Sequence, residues 1–293
     1  MTQPFYVAPE QVMKDRADYA RKGISRGRSL IGLSCSEAIL ICAENPSRLL
    51  RKISEIYDRI AFAGVGKYNE FDQLRIAGVR SADLKGYAYS REDVDGRSLA
   101  NGYAQMLGNV FTHEMKPMEV EILVAEVSGV PSDDRLFHIL YDGTLIDQSG
   151  FTVLGGDADA VRDRVSAEFE GTPDLATGLR LAAAALAGPE RALSASDLEV
   201  AVLDRQVEHR SFRRLAEGEV DEILGGHVGG ATAQTEVESV PEAADLPLAA
   251  TVTTDTGATD LATAEPRQAT GVSSPSESNE SKAESDDDEA AGT

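Results

Sequence analysis

Apolar positions along the chain switch between helical spacing and continuous runs several times before residue 226, and the pattern then stops. Val12, Met13, Ala17, Tyr19 and Ala20 recur at helical spacing after Pro9, with Arg16 on the same face. Proline suits the first helical position, and Glu10 suits the positive end of the helix dipole. Lys22-Gly23 supplies a basic last turn and a stop. The runs Leu30–Cys35 and Ala38–Ala43, separated by Ser36-Glu37, predict a two-residue hairpin, although Ser-Glu is not a favoured turn pair. Ile60–Gly66 predicts a further strand. Helical spacing returns through Phe71, Leu74, Gly78 and Ala82, then from about Ser98 to His113 with Leu99, Tyr103, Leu107, Val110 and Phe111 on one face. That stripe is core rather than a cofactor box.

The second half continues in the same manner. Strands are predicted at Val120–Val127, Leu136–Tyr141, Thr144–Ile146 and Phe151–Leu154, with Asp142-Gly143 as a hairpin turn. Gly155-Gly156 lacks the Lys and Ser/Thr of a phosphate loop and reads as a turn. Helices follow at Ala158–Phe169 and Leu175–Ala187, the second with Asp174 near its start. Strands at Leu198–Leu203 and Ser211–Leu215 and a helix at Glu217–Leu224 complete the series. Strand blocks interleaved with helix pairs, without regular βαβ alternation, predict an α+β fold in which two antiparallel sheets stack face to face with helices outside. This is a four-layer α-β-β-α sandwich.

Composition sets the boundaries. From His227 to Thr293 there is no aromatic residue, and 14 acidic residues face only Arg267 and Lys282, a net charge of −12. Such a segment cannot bury enough apolar surface to offset its ordering entropy. The expected division is a mobile segment at 1–8, a folded domain at 9–226 and a disordered acidic tail at 227–293. Asp286-Asp287-Asp288-Glu289 fits a solvated run better than a metal site. The whole chain carries −22, leaving −10 before the tail, the wrong sign for a nucleic acid or an anionic membrane. No apolar stretch approaches the roughly 18 residues of a membrane span, and Met1–Phe5 shows no secretory pattern. Cys35 and Cys42 are too few for a disulfide framework and sit in strand-like runs, as reduced packing residues would. His113, His138, His209 and His227 are scattered, so no metal or cofactor is implied. A cytoplasmic protein is expected.

Several stretches go further. "APEQVMKDRADYARKGISRGRSLIGL" (Ala8–Leu33), "AENPSRLLRKISEIYDRIAFAGVGKYNEFDQLR" (Ala43–Arg75), Lys85–Ser90, "GRSLANGYAQ" (Gly96–Gln105) and "LEVAVLD" (Leu198–Asp204) are similar to α subunits of the actinobacterial 20S proteasome. The resemblance spans residues 1–224 and implies the proteasome type of the N-terminal nucleophile hydrolase fold. Catalytic members of that superfamily use an N-terminal Thr whose own α-amine is the base. Here Arg28 stands where the nucleophile would, with residues 1–27 before it and no Gly-Thr processing junction. Glu44 and Lys52 match the accompanying acid and lysine.

The resemblance therefore implies a non-catalytic subunit in a heptameric ring of identical copies, capping proteasome β subunits. It implies a gate at Phe5, Tyr6, Val7 and Ala8, and a pore constriction at Lys116 and Pro117 in the loop Thr112–Met118. It also implies a pocket of Lys52, Gly27 and Gly66, with Lys67 adding charge, that receives the C-terminal tail of a hexameric ATPase. Two alternatives stand beside it: a catalytic β-type hydrolase with an unrecognised processing site, and an unrelated binding module.

Overall fold

The computed structural model describes residues 8–225; the gate residues Phe5, Tyr6 and Val7 and the segment 227–293 lie outside the described residues. Helix α1 (Pro9–Ile24) is followed by strands β1 (Leu30–Ser34), β2 (Ala38–Glu44), β3 (Ile53–Tyr57) and β4 (Ile60–Gly66). Helices α2 (Tyr68–Ala88) and α3 (Gly96–His113) come next, then β5 (Val120–Glu126), β6 (Arg135–Ile139), β7 (Leu145–Gln148) and β8 (Phe151–Leu154). Helices α4 (Ala158–Glu168) and α5 (Leu175–Ala187), strands β9 (Leu198–Asp204) and β10 (Phe212–Arg214), and α6 (Glu217–Gly225) complete the domain.

Ten strands form two sheets of five, in the orders β10-β9-β2-β1-β8 and β3-β4-β5-β6-β7, with every pairing antiparallel. Three apolar layers hold them together. Between the sheets lie Leu30, Ile39, Ile41 and Ala43 from one side and Ile53, Ala63, Leu123 and Leu136 from the other, closed by Ala20 and Ile24 of α1. Ile31, Leu33, Leu40 and Cys42 face outward, under Val161, Val165, Leu179 and Ala182 of α4 and α5. Phe62, Ile122 and Val124 meet Phe71, Leu74, Tyr103 and Leu107 of α2 and α3. Both faces of β1 and β2 are thus covered, which is why these strands read as continuous apolar runs rather than alternating ones. Gly32 lets the sheets approach: a Cβ there would lie 2.7 Å from Leu123 Cδ2.

The four-layer sandwich expected from the order of elements is the fold observed. The Ser36-Glu37 hairpin forms despite its poor turn pair, with Cys35 N–H donating to Ala38 O at 2.8 Å. Asp174 caps α5, accepting from Thr177 N–H at 2.7 Å. Strand β3 lies in a stretch to which the apolar pattern assigns no strand, because only Ile53 and Ile56 of its five residues are buried. Both thiols are buried and unpaired, and burial pushes each up to about 12. Among the described residues, no helix is long and apolar enough to cross a membrane.

Candidate functional site

The β1–β2 hairpin brings Arg28, just before β1, beside Glu44, the last residue of β2; Glu44 N–H donates to Ser29 O at 3.2 Å. The Arg28 guanidinium donates to Glu44 Oε1 at 2.5 Å. Arg191, in the loop after α5, donates to both oxygens of the same carboxylate at 3.0 and 3.3 Å. Glu44 is buried, so its charge needs partners.

Lys52 enters from the other sheet. Its ammonium donates to Arg28 O at 2.7 Å and to Glu44 O at 3.1 Å, immediately before β3 begins. Its backbone N–H donates at 2.8 Å to Glu199 Oε2, a buried carboxylate on β9. Asn45 Nδ2 donates to that oxygen at 2.7 Å, and Arg214 donates to the other oxygen of Glu199. Burial, helped by the Arg28 charge and opposed by Glu199 and Glu44, pushes the Lys52 ammonium down to about 8. Arg28, Glu44 and Lys52 are therefore one cluster, as their matched positions imply. An arginine stays protonated and cannot attack a carbonyl, so the position of the nucleophile holds a cation locked to an acid.

The glycines adjoin this cluster. A Cβ on Gly27 would meet Val65 Cγ1 at 2.7 Å and Gly66 N at 3.0 Å, so the two backbones touch. Gly66 has φ +107, and its added Cβ would lie 2.0 Å from Glu119 O. Close packing within the chain alone requires glycine at both. Lys67 points to a separate acidic pair, with Nζ 3.6 Å from Glu70 and 3.8 Å from Glu119. Lys116 meets the same two carboxylates at 2.7 and 3.0 Å, and its ammonium lies over the Tyr19 ring of α1 at 5.6 Å. Pro117 is buried beside it, and the structure thus joins Lys67 to the 112–118 loop rather than to Lys52 directly. Ala8 is exposed and extended, and its carbonyl accepts from Gln11 and Val12 to start α1.

A cavity of about 440 Å³ opens next to Arg28, lined by Arg26, Arg28, Arg164, Arg191 and Glu44 among others. Arg164, Arg191, Glu199 and Arg214 escaped the sequence reading. Glu199 had a signal, a lone carboxylate inside the apolar run Leu198–Leu203. Among the described residues no group of three or more His, Cys, Asp or Glu is placed to hold a metal ion.

Fold and site together define a sandwich of the N-terminal nucleophile hydrolase type whose reactive end is occupied by an ion-paired arginine. A family model described as "Proteasome subunit" matches residues 24–203. A protein named "Proteasome subunit alpha" from Acidimicrobium ferrooxidans is 63% identical over 230 residues, covering 78% of this chain and 99% of that protein. Proteins of the same name from Sanguibacter keddieii and Arthrobacter sp. are 54% identical over 234 residues and 55% identical over 231. They cover 78% and 76% of this chain and 92% and 98% of their own lengths. The chain belongs to the proteasome subunit family, and its relatives carry the α name, which disfavours the β-type alternative.

Proposed function

We propose that the chain is a non-catalytic α-ring subunit of a 20S proteasome core, gating substrate entry and docking a ring ATPase for protein degradation. The observation that carries this reading is Arg28 on Glu44 at 2.5 Å, in the place of the nucleophile and behind a sixteen-residue helix. Copies of the chain form the ring and stack on β subunits, which supply the peptidase chemistry. Residues 1–8 converge on the axial pore, and Lys116 and Pro117 line the constriction behind it. Lys52, beside Gly27 and Gly66, anchors the C-terminal carboxylate of the ATPase, with Lys67 adding positive charge at the rim. A lysine held by two carbonyls in a partly dry site suits that task, because a charge-assisted hydrogen bond strengthens as water is excluded. The same reading places the protein in the cytoplasm.

Co-expression with the β subunit tests it. The expected result is a sevenfold stacked particle by electron microscopy, with peptidase activity only when β subunits are present. Peptide hydrolysis by this chain alone, with an intact mass showing that the α1 segment has been removed, would overturn the reading in favour of the β type.

A further inference from the structure

The cavity beside Arg28 holds more positive charge than its own carboxylates use. Arg28 and Arg191 share one carboxylate, Glu44. Arg26 and Arg164 line the same cavity, and neither has an ion-pair partner among the described residues. Arg164 uses only its Nε, toward Ala185 O at 2.7 Å. Lys52 lies next to them on the Arg28 carbonyl. Against these cations stand Glu44, Asp157 and Glu190 at the cavity, while nearby Asp197 is held by Ser194. The stretch Tyr19–Ser36 contributes Arg21, Lys22, Arg26 and Arg28 with no acidic residue, in a chain of net −22.

The opposite charge lies at the other end of the sequence. Residues 277–289 contain seven acidic residues and one basic residue. The last described helix, α6, leads toward them from beside the cavity: Ile223 O accepts from Arg180 Nε of α5 at 3.0 Å. Leu186 and Ala187, which wall the cavity, lie six and seven residues further along α5, about 10 Å away at 1.5 Å per residue. The sixty residues between 226 and 285 span roughly 40 Å as a flexible chain, at about 5–6 Å times the square root of their number. That comfortably exceeds the distance required.

We propose that the acidic segment 277–289 docks its carboxylates in the arginine cavity of its own chain and competes there with anionic partners. Guanidinium groups bind carboxylates in a two-pronged fashion, and the spare donors of Arg26 and Arg164 offer that geometry. Tethering raises the local concentration of the segment to the millimolar range, so modest intrinsic affinity suffices to occupy the cavity. The competition with an ATPase tail rests on the reading of Lys52 given above; the docking itself does not.

The test uses the full chain and a full-length variant with the seven acidic residues changed to Asn or Gln. A fluorescein-labelled peptide of residues 277–289 is the probe, followed by anisotropy at low salt. The neutralised variant should bind it at least tenfold more tightly than the native chain, whose cavity is already filled. Binding should fade at 0.5 M NaCl and should fall at least threefold when Arg26→Glu is added, and further with Arg164→Glu. Arg26 is exposed with no ion pair, so its reversal leaves the fold intact. Equal binding by the native and neutralised chains, or no loss with Arg26→Glu, would overturn the proposal. Carbodiimide cross-links in mixed light- and heavy-isotope chains give a second reading. Links from residues 284–289 to Lys22 or Lys52 within one chain support it, and links only between chains refute the same-chain assignment. Unchanged ATPase stimulation in the neutralised particle, beside the expected peptide data, would remove the ATPase reading and leave the docking standing.

Discussion

Strand β1 carries a charged cluster at each end, and the two are built in opposite ways. At its Ser34 end, Asp134 accepts from Arg205 at 2.7 and 2.8 Å, from Ser34 Oγ at 2.5 Å and from Ser128 N–H at 2.9 Å. Arg205 spends its remaining donors on the carbonyls of Ser128, Cys35 and Ser36. One cation meets one anion, with side-chain exposures of 7% and 2%. At the Arg28 end, two arginines about half exposed crowd one carboxylate, a lysine rests on carbonyls, and a cavity stands alongside. A buried, fully satisfied pair fixes the geometry of the loops it joins. A half-exposed cluster with surplus charge keeps interaction capacity for something outside the domain.

The largest expected effect breaks the closed cluster. Arg205→Ala leaves the Asp134 carboxylate buried without its cation, which costs about 3–5 kcal/mol, a large share of the ~5–15 kcal/mol typical of a native fold. Urea unfolding of the isolated chain checks it, and a loss below ~1 kcal/mol would mean that water relieves Asp134 and that the two ends are not so different. Lys52→Ala acts on the other end and should divide the readouts. Its stability cost is ~1 kcal/mol, because the Arg28 and Glu44 carbonyls it leaves lie near solvent. ATPase-stimulated protein degradation should fall to the unstimulated level. Small-peptide cleavage by a particle lacking residues 2–8 should persist. Full stimulation in that variant would refute the anchor role.

The Lys52 pKa sharpens the contrast further. Its folded value is depressed, to about 8 from 10.5, so between those values the unfolded chain binds more protons than the folded one. Stability therefore rises with pH across that window through this group and is flat below it. Carboxylate docking runs the other way: it needs the charged ammonium, so affinity for a carboxyl-terminal peptide should fall about tenfold between pH 8 and pH 9.5. Titration by calorimetry measures this, and Lys52→Arg, which stays charged throughout, should abolish the fall. The Arg205–Asp134 end should show no change over the same range.

The sequence foretold these regions unequally. Apolar periodicity carries the sandwich because β1, β2, β4 and β5 are buried on both faces and read as unbroken runs. Strand β3 is half covered, and its Ser54-Glu55 pair hides it. Arg28, Glu44 and Lys52 were legible through family resemblance, since each sits at a strand end whose register the hairpins fix. Arg191, from a loop after α5, and Arg205, from beyond β9, reach their partners over 147 and 71 residues of chain. No local pattern encodes such a meeting; only the stacking of the sheets and helices brings them together.

The smallest expected effect concerns a third cluster, intermediate between the two. Lys116 lies 2.7 Å from Glu70 and 3.0 Å from Glu119, with its side chain 43% exposed and both carboxylates 13% exposed. Glu70 also accepts from Glu119 N–H at 2.7 Å, which fixes its second oxygen whatever the lysine does. Lys67 stands by at 3.6 and 3.8 Å. Solvent screens the pair, so Lys116→Ala should cost only ~0.5–1 kcal/mol, with Lys67 moving in to compensate. Removing both lysines should cost more than the two single losses added together, since the second removal leaves two carboxylates facing each other with no cation. A double-mutant cycle followed by thermal unfolding measures the coupling. Strict additivity would show that the two lysines act independently, and that this cluster belongs with ordinary surface pairs rather than between the two ends of β1.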